Sequence, residues 1–550
     1  MRSSLLSLGG FALVFLALFS QFPMTGRLPG NTDSLLALAL SNLVLEKIGL
    51  FLSGELPFTA MYPARDVMAY GENCYGLAAI FIVFKVLTSS DLVSYYLFIT
   101  TIFTLNAFAI MKLASHFVRD SGMAALAGLA FSLAGFTLGN IDDPNVVFVF
   151  FPALGLLFLL RGIERTDAKS VRTGLLLSGL QIWFGMYFFI YQFLMIAMLV
   201  PFHIEELRKL MNRKRTAGFA AAYVGPALPL IALYLYNQKT GEVVSPYEVF
   251  ADCSMTLANF FRHLPGNLIY PDAGRFLDWV EIRKNAFPGV LLPVLAGIGL
   301  VATGLKEKRT RFVAFVMIVF LVLSFGSNIP GLARMRDVPY LSYLRVPSRF
   351  YLVTLLMASI FFAIGAEKIA TYLKLQKSNV RHAVFAVVVA GLFALENVPF
   401  PLFGYEYASL LAPSPSYAGF FREGEEKKIV LDLPSTVRFL PSQSVDSSHR
   451  LWFFTREIVY MNWQTYHRQL IVGGANGYVS KARMDVEAAV RRLPESSALA
   501  ELEKIGVELL VFHKHMVLFP EEDILTTLKE AKGLKMVLEN DREAIFEIEI

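Results

Sequence analysis

Charge is scarce in this 550-residue sequence: 17% of its residues are Asp, Glu, Lys or Arg, against 55% hydrophobic, and the mean hydropathy is +0.52. That balance excludes an ordinary soluble chain. Cysteine is scarcer still, with Cys74 and Cys253 alone, and the eight histidines are scattered, which excludes a zinc site built on ligand spacing. Both cysteines fall in segments read below as external, and the sequence leaves open a disulfide or two thiols. Also missing are a Walker A run, a nucleophile elbow, a His-Glu-x-x-His pair and a dinucleotide-binding glycine run. ATP-driven transport and cofactor-borne chemistry are set aside on that ground. No repeat or low-complexity segment is present.

What is abundant is the long apolar run. A first span over Leu5–Phe22, alternatively a signal peptide, is followed by approximately 92–111, 122–139, 146–161, 172–185, 187–203, 216–236, 287–305, 312–328, 349–366 and 382–400, eleven in all. Tyr75–Leu87 is apolar over about 13 residues, short of the roughly 20 that a helix needs to cross a bilayer, so it is expected to lie in the interface. This count puts Arg2, Lys112 and Arg119, Arg161–Arg172, Arg208–Arg215, Lys306–Arg311 and Lys368–Arg381 on one side, as the positive-inside rule requires. The net charge of +5 therefore sets orientation and does not mark a nucleic-acid surface.

Three longer external segments follow: 24–90, 237–286 and 329–348. An odd number of spans also leaves everything after Phe400 outside. Beyond Phe403 the long apolar runs stop. Strand-like Lys428–Leu433 and Val507–Phe512, helical Arg483–Arg492, Ser497–Ile505 and Glu521–Glu530, and a closing hairpin around Asn540-Asp541 predict an α/β domain over 404–550, after a membrane domain over 1–403.

Polar groups gather on the external side. Asp33 stands at a helix start in Asn31-Thr32-Asp33-Ser34, and Glu72 in the same loop within Ala69-Tyr70-Gly71-Glu72. Asp142 and Asp143 precede Pro144 in the next external turn, and Arg345 and Arg349 flank Val346-Pro347-Ser348 where a span re-enters. Taken singly, the acids are helix caps and the arginines interface anchors. Taken together, they suit a base for an acceptor hydroxyl, guanidinium forks for a phosphate, and an acidic pair for a divalent cation. Asn106 and Gln181 read as interhelical hydrogen-bond partners, Glu396 as a snorkelling acid, and Arg262, His263, Tyr270, Asp272, Arg275 and Asp278 as a loop able to form a lid or cleft. Phe148, Phe150, Phe151 and Tyr187–Tyr191 suit a lipid-facing groove.

The layout resembles the GT-C class of membrane glycosyltransferases, and within it a set of large bacterial multi-span proteins. The resemblance is carried by Met61-Tyr62-Pro63, Ala69–Glu72, Asp142-Asp143 with Phe151-Pro152-Ala153-Leu154, Tyr187, Leu344–Phe350, and Tyr466–Gly474 with Gly477-Tyr478. It implies a polytopic, mainly α membrane protein of the bacterial cytoplasmic membrane with an extracytoplasmic C-terminal domain. It further implies transfer of a sugar from a polyprenyl-phosphate donor to a lipid, glycan or protein acceptor, with inversion. By position, Asp33 matches the catalytic base; Glu72, Arg345, Arg349 and Tyr187 match substrate contacts; Asp142 and Asp143 match candidate ligands of a Mg or Mn ion. The alternative is a non-catalytic protein that moves a lipid-linked glycan or scaffolds envelope assembly. Against transport stands the near-absence of ionisable residues in the middle of the spans.

Overall fold

The structure, a computed structural model, describes residues 2–30, 32–53, 73–240, 249–270, 284–337, 344–406, 412–421, 427–434, 447–474, 481–517 and 524–549. The chain folds into two compact units. The first comprises Met1–Asn31, Leu92–Leu230 and Glu248–Tyr405, the second Thr32–Asp91, Ile231–Tyr247 and Glu406–Ile550. The chain enters the second unit with helix α1 (Thr32–Ser53) and returns to the first with α2 (Asp91–Ala114). Then follow α3 (Phe150–Glu164), α4 (Met186–Leu199), α5 (Leu291–Thr303), α6 (Lys308–Ser324), α7 (Tyr351–Tyr372) and α8 (Asn379–Asn397).

The protein is an integral membrane protein by its apolar helices. Among the described residues six are long and apolar enough to cross a bilayer: Leu5–Thr25, Asp91–Ala114, Pro144–Glu164, Arg213–Tyr236, Pro347–Tyr372 and Asn379–Asn397. The other five of the eleven expected spans are shorter or interrupted. The 187–203 stretch continues into Ile204–Leu210 with a 100° bend, and 122–139 is split at Leu133-Ala134 into Ser121–Ser132 and Gly135–Gly139. The helix in 172–185 ends at Leu180, while α5 has 13 residues and α6 has 17. Hydropathy counts apolar residues whether or not the backbone stays helical. Non-helical backbone is tolerated at such depth where protein surrounds it. Tyr75–Leu87 is a 14-residue helix, Tyr75–Thr88.

Within the first unit α7 is the centre, with 94% of its apolar window buried. It crosses α5 at a pair of glycines. A Cβ on Gly299 would overlap the Phe361 carbonyl, and one on Gly365 the Leu295 carbonyl, so the backbones touch directly. Small residues at a crossing gain packing where lipid offers no hydrophobic driving force. On the arginine- and lysine-rich side, Asp120 caps Ser121–Ser132 by accepting from Met123 N at 2.9 Å. Glu367 in turn accepts from the amides of Arg119 and Asp120 at 2.8 and 3.0 Å.

The second unit contains a C-terminal α/β sheet. Strands β1 (Ile429–Leu433), β2 (Leu470–Ile471), β3 (Leu509–His513), β4 (Leu534–Glu539) and β5 (Glu543–Ile548) lie in the order β2-β1-β3-β5-β4. The β1 strand runs parallel to β2 and β3, and the antiparallel hairpin β4–β5 adds to the β3 edge. Helices α9 (Ser447–His467), α10 (Lys481–Arg491) and α11 (Ser496–Ile505) supply the crossovers. The apolar faces of α10 and α11 and the strands enclose a core of Leu431, Val472, Val486, Leu499, Leu510 and Phe546. The α9 helix also binds α1: Asn42 Nδ2 donates to Asn462 Oδ1 at 3.1 Å, and Arg468 pairs with Glu46 at 3.1 Å.

At the carboxyl ends of β1 and β3 lies a buried polar network. Tyr417 Oη donates to Asp432 Oδ1 at 2.7 Å, and His513 Nε2 reaches the same oxygen at 2.9 Å. Gln469 N donates to His467 Nδ1 at 3.1 Å, which places the His467 proton on Nε2, 3.3 Å from Tyr417 Oη. Tyr460 stacks on His513, and Trp463 meets it at 67°. Burial pushes the His467 imidazole down to about 4, with the Asp432 carboxylate working against that shift.

Candidate functional site

The candidate site of the first unit is assembled from three breaks in its helices. The Asp142–Asn145 turn sits between two glycines: a Cβ on Gly30 (φ +70°) would overlap Asp142, and one on Gly185 the Asn145 carbonyl. Beyond the turn, the short helix Pro144–Val147 stops before α3, and two amides hold the gap. Asn106 in α2 donates to the Val147 carbonyl and accepts from Val149 N, both at 2.8 Å, while Gln181 Nε2 donates to the Phe148 carbonyl at 3.2 Å. Both residues thus act as the interhelical partners that the sequence suggests. They satisfy backbone groups that would each cost several kcal/mol if left bare in an apolar layer.

On the facing side, Pro347–Phe350 forms the first turn leading into α7. Its conformation is fixed by Ser348 N donating to the Cys253 carbonyl at 3.0 Å. This turn aims the Arg349 guanidinium at Asp143, and the two form a buried ion pair, Nη2 to Oδ2. The guanidinium also lies over the Tyr187 ring, 4.5 Å from its centroid. Such a desolvated cation–π contact contributes about 2 kcal/mol. Tyr191 packs next to it, 4.7 Å from the Phe350 ring and 6.0 Å from that of Tyr187.

One thiol reports the charge of this region. Burial pushes Cys253 up to about 11, and the positive fields of Arg349, Lys284 and Arg345 pull it back, with Asp252 opposing them. Neither Cys253 nor Cys74, both buried, is in a disulfide.

The structure gathers Asp143, Arg349 and Tyr187, with Asp142 (3% exposed) in the same turn and half-buried Arg345 four residues before Arg349. Asp33 lies in the other unit, half-buried in the first turn of α1. Glu72, Met61–Pro63, Asp272, Arg275, Asp278 and Gly477-Tyr478 lie outside the described residues. Lys284 was not singled out by sequence reasoning; the signal for it is a basic residue in a segment expected on the external side, where lysine is depleted. Glu396 differs from a snorkelling acid. Its two oxygens accept from Val290 N (2.7 Å) and Leu291 N (3.0 Å), capping α5. As cation ligands, Asp142 and Asp143 fit poorly. Asp143 is held by Arg349, and among the described residues no group of three His, Cys, Asp or Glu gathers.

No family model and no curated protein matches the sequence. Solved structures do. The arabinofuranosyltransferase AftD from Mycobacteria is similar over 99% of this chain, with a TM-score of 0.60 and 13% identity, and this chain spans 41% of that protein's length. The oligosaccharyltransferase AglB from Archaeoglobus fulgidus, solved with a dolichol-phosphate, aligns over 96% of this chain and 72% of its own at TM-score 0.46 and 13% identity. ArnT from Cupriavidus metallidurans, bound to undecaprenyl phosphate, aligns over 98% and 97% at TM-score 0.40 and 13% identity. The chain has the fold of the GT-C membrane glycosyltransferases.

Proposed function

We propose that this protein transfers a sugar from a polyprenyl-phosphate carrier to an acceptor on the extracytoplasmic face of the bacterial cytoplasmic membrane. The observation that carries this reading is the buried Arg349 guanidinium at the amino-terminal turn of helix α7, paired with Asp143 and lying over the Tyr187 ring. A guanidinium presented at a helix start suits a phosphate anion. A phosphate at the membrane surface, with its lipid tail along apolar helices, meets that requirement.

The chemistry needed is modest, because a sugar phosphate carries its own leaving group. The acceptor hydroxyl oxygen attacks the anomeric carbon from the face opposite the phosphate. The bond from that carbon to the phosphate oxygen breaks, and the electron pair leaves with the lipid phosphate. The Arg349 guanidinium stabilises the charge gathering on that oxygen, an effect of about 10²–10³ in rate per well-aimed group. Asp33 is the proposed base that takes the acceptor proton, contributing about 10²–10⁴. That role rests on the resemblance and on the position of Asp33 at a helix start. Asp143 holds the guanidinium in place, and no step is routed through a metal ion.

The test is transfer in membranes, or in purified detergent-solubilised protein, with Asp33→Asn and Arg349→Gln. The expected result is loss of transfer by Asp33→Asn with donor binding retained, and loss of donor binding by Arg349→Gln. If both variants keep the cellular function while removal of residues 404–550 abolishes it, the scaffold reading replaces this one.

A further inference from the structure

The face rich in arginine and lysine carries one segment whose charge is not matched within the chain. Of the eight residues Arg208–Arg215, five are basic: Arg208, Lys209, Arg213, Lys214 and Arg215. All five are exposed, and none of their side chains has a hydrogen-bond or ion-pair partner among the described residues. Lys308 and Arg309, at the start of α6, differ: Lys308 meets Glu206 at 2.9 Å, and Arg309 pairs with Glu307.

Three of the five stand where a helix least favours them. Arg213, Lys214 and Arg215 form the first turn of the helix Arg213–Val224, and that turn holds no acid. The amino end of a helix carries partial positive charge, so cations there are repelled. Fraying would relieve the repulsion, but Asn212 Oδ1 accepts from Arg215 N at 2.9 Å and caps the turn. Arg172 adds a sixth charge. A Cβ on Gly218 would sit 3.4 Å from Arg172 Nη2, so the bare glycine lets that guanidinium lie against the same helix. Cations held in place against the local preference, with no compensation inside the chain, point to an anion outside it.

Position selects the anion. Arg213 opens a stretch of 24 residues long and apolar enough to cross a bilayer, Arg213–Tyr236, and Ile204–Leu210 turns 100° away from the stretch Met186–Phe202. A helix turned by that angle from a span runs close to the membrane plane. Ile204 and Met211, 45% and 50% exposed, place apolar side chains beside the cations, while His203 and Leu210 are buried. Of the two acids in the segment, Glu206 is taken by Lys308, and exposed Glu205 offsets one positive charge. Apolar side chains interleaved with arginine and lysine at the end of a span fit a lipid headgroup, its phosphate on the cations and its acyl chain on Ile204 and Met211. A soluble anion would make no use of those two.

We propose that residues 204–215, with Arg172, form a binding site for anionic phospholipid headgroups at the edge of the first unit. The site rests on neither the Arg349 cluster nor the transferase reading. The test is native mass spectrometry of the full-length protein in detergent, titrated with phosphatidylglycerol and with phosphatidylcholine. Each lysine or arginine near an anionic surface contributes about fivefold in binding. Arg213→Gln/Lys214→Gln should therefore weaken phosphatidylglycerol binding about twenty- to thirtyfold and leave phosphatidylcholine unchanged. Raising ammonium acetate from about 0.15 M to about 1 M should weaken it as well, since the screening length falls from about 8 Å to about 3 Å. Lys368→Gln/Lys374→Gln removes two exposed cations elsewhere on the basic face and should cost less than about fivefold. Arg208→Gln/Lys209→Gln, on the other side of the Asn212 cap, should match the first variant and carries the test if that one fails to fold. No preference for phosphatidylglycerol in the wild type, a preference that survives both patch variants, an equal loss in the Lys368/Lys374 control, or displacement by inorganic phosphate would overturn the proposal.

Discussion

The Arg349 cluster and the Tyr417–Asp432–His513 network both bury polar side chains, yet their charges close differently. In the network, one carboxylate oxygen takes a phenol and an imidazole, a second imidazole reaches the phenol, and aromatic rings seal the outside. Around Arg349, the guanidinium pairs with Asp143 and lies over the Tyr187 ring at a break between helices, with Arg345 four residues before it. A buried network stiffens the sheet end on which it sits. A guanidinium held over an aromatic ring at a break between helices suits an anion, and this difference is the reason for assigning binding to the one and stability to the other.

The comparison breaks most visibly at the buried ion pair. Arg349→Gln alone should lower the stability of the membrane unit by about 3–5 kcal/mol, because it strands the Asp143 carboxylate. The double variant Asp143→Asn/Arg349→Gln should recover most of that loss while leaving donor binding abolished, read by thermal unfolding and by binding of a lipid-linked sugar side by side. If the double variant also restores donor binding, the cluster is structural, like the network.

The next largest effect belongs to the network and depends on pH. His467 is neutral when folded because burial holds it at about 4, whereas the unfolded chain takes up a proton below 6.5. The unfolded state binds more protons in that window, so stability falls as pH drops from 6.5 toward 4 and is flat above 6.5. The full shift corresponds to about 3 kcal/mol. Thermal unfolding of the C-terminal unit across that window should show the slope, and His467→Gln should flatten it, while donor binding keeps its own profile.

The smallest effect sharpens the Arg349 side alone. Tyr187→Leu removes the cation–π face and should weaken donor binding by about five- to thirtyfold, for a loss of about 1–2 kcal/mol. Tyr187→Phe should stay near wild type, since the ring and not the hydroxyl meets the guanidinium. A large loss in Tyr187→Phe would move the role to the hydroxyl.

Much of this was legible in the residues. Leu344–Phe350 and the Asp142-Asp143 turn stand out because charge is rare in such a sequence, and the strands around Leu431 and Leu510 stand out because alternation gives way to short apolar runs. The pairing of Asp143 with Arg349, 206 positions apart, was not legible. It depends on glycines letting two backbones approach, which no local pattern encodes. Helix α9 was missed for the opposite reason: its buried face carries Arg456, Glu457, Asn462 and Gln464, so the usual apolar period is absent. Lys284 read as one more solvated loop residue. Helix continuity was not legible where an apolar run bends or stops, as at Leu180 and His203.

The amides of Asn106 and Gln181 set a condition on transplanting this chemistry. An engineer who grafted Asp143, Tyr187 and Arg349 onto another helical bundle would obtain the right groups on a wobbling support. The interruption at Val147–Val149 is anchored from two separate helices, 41 and 33 positions distant in the chain, and without those anchors the aspartate would swing. The portable unit is thus five residues with their scaffold of neighbours, and a minimal graft of three should be inert.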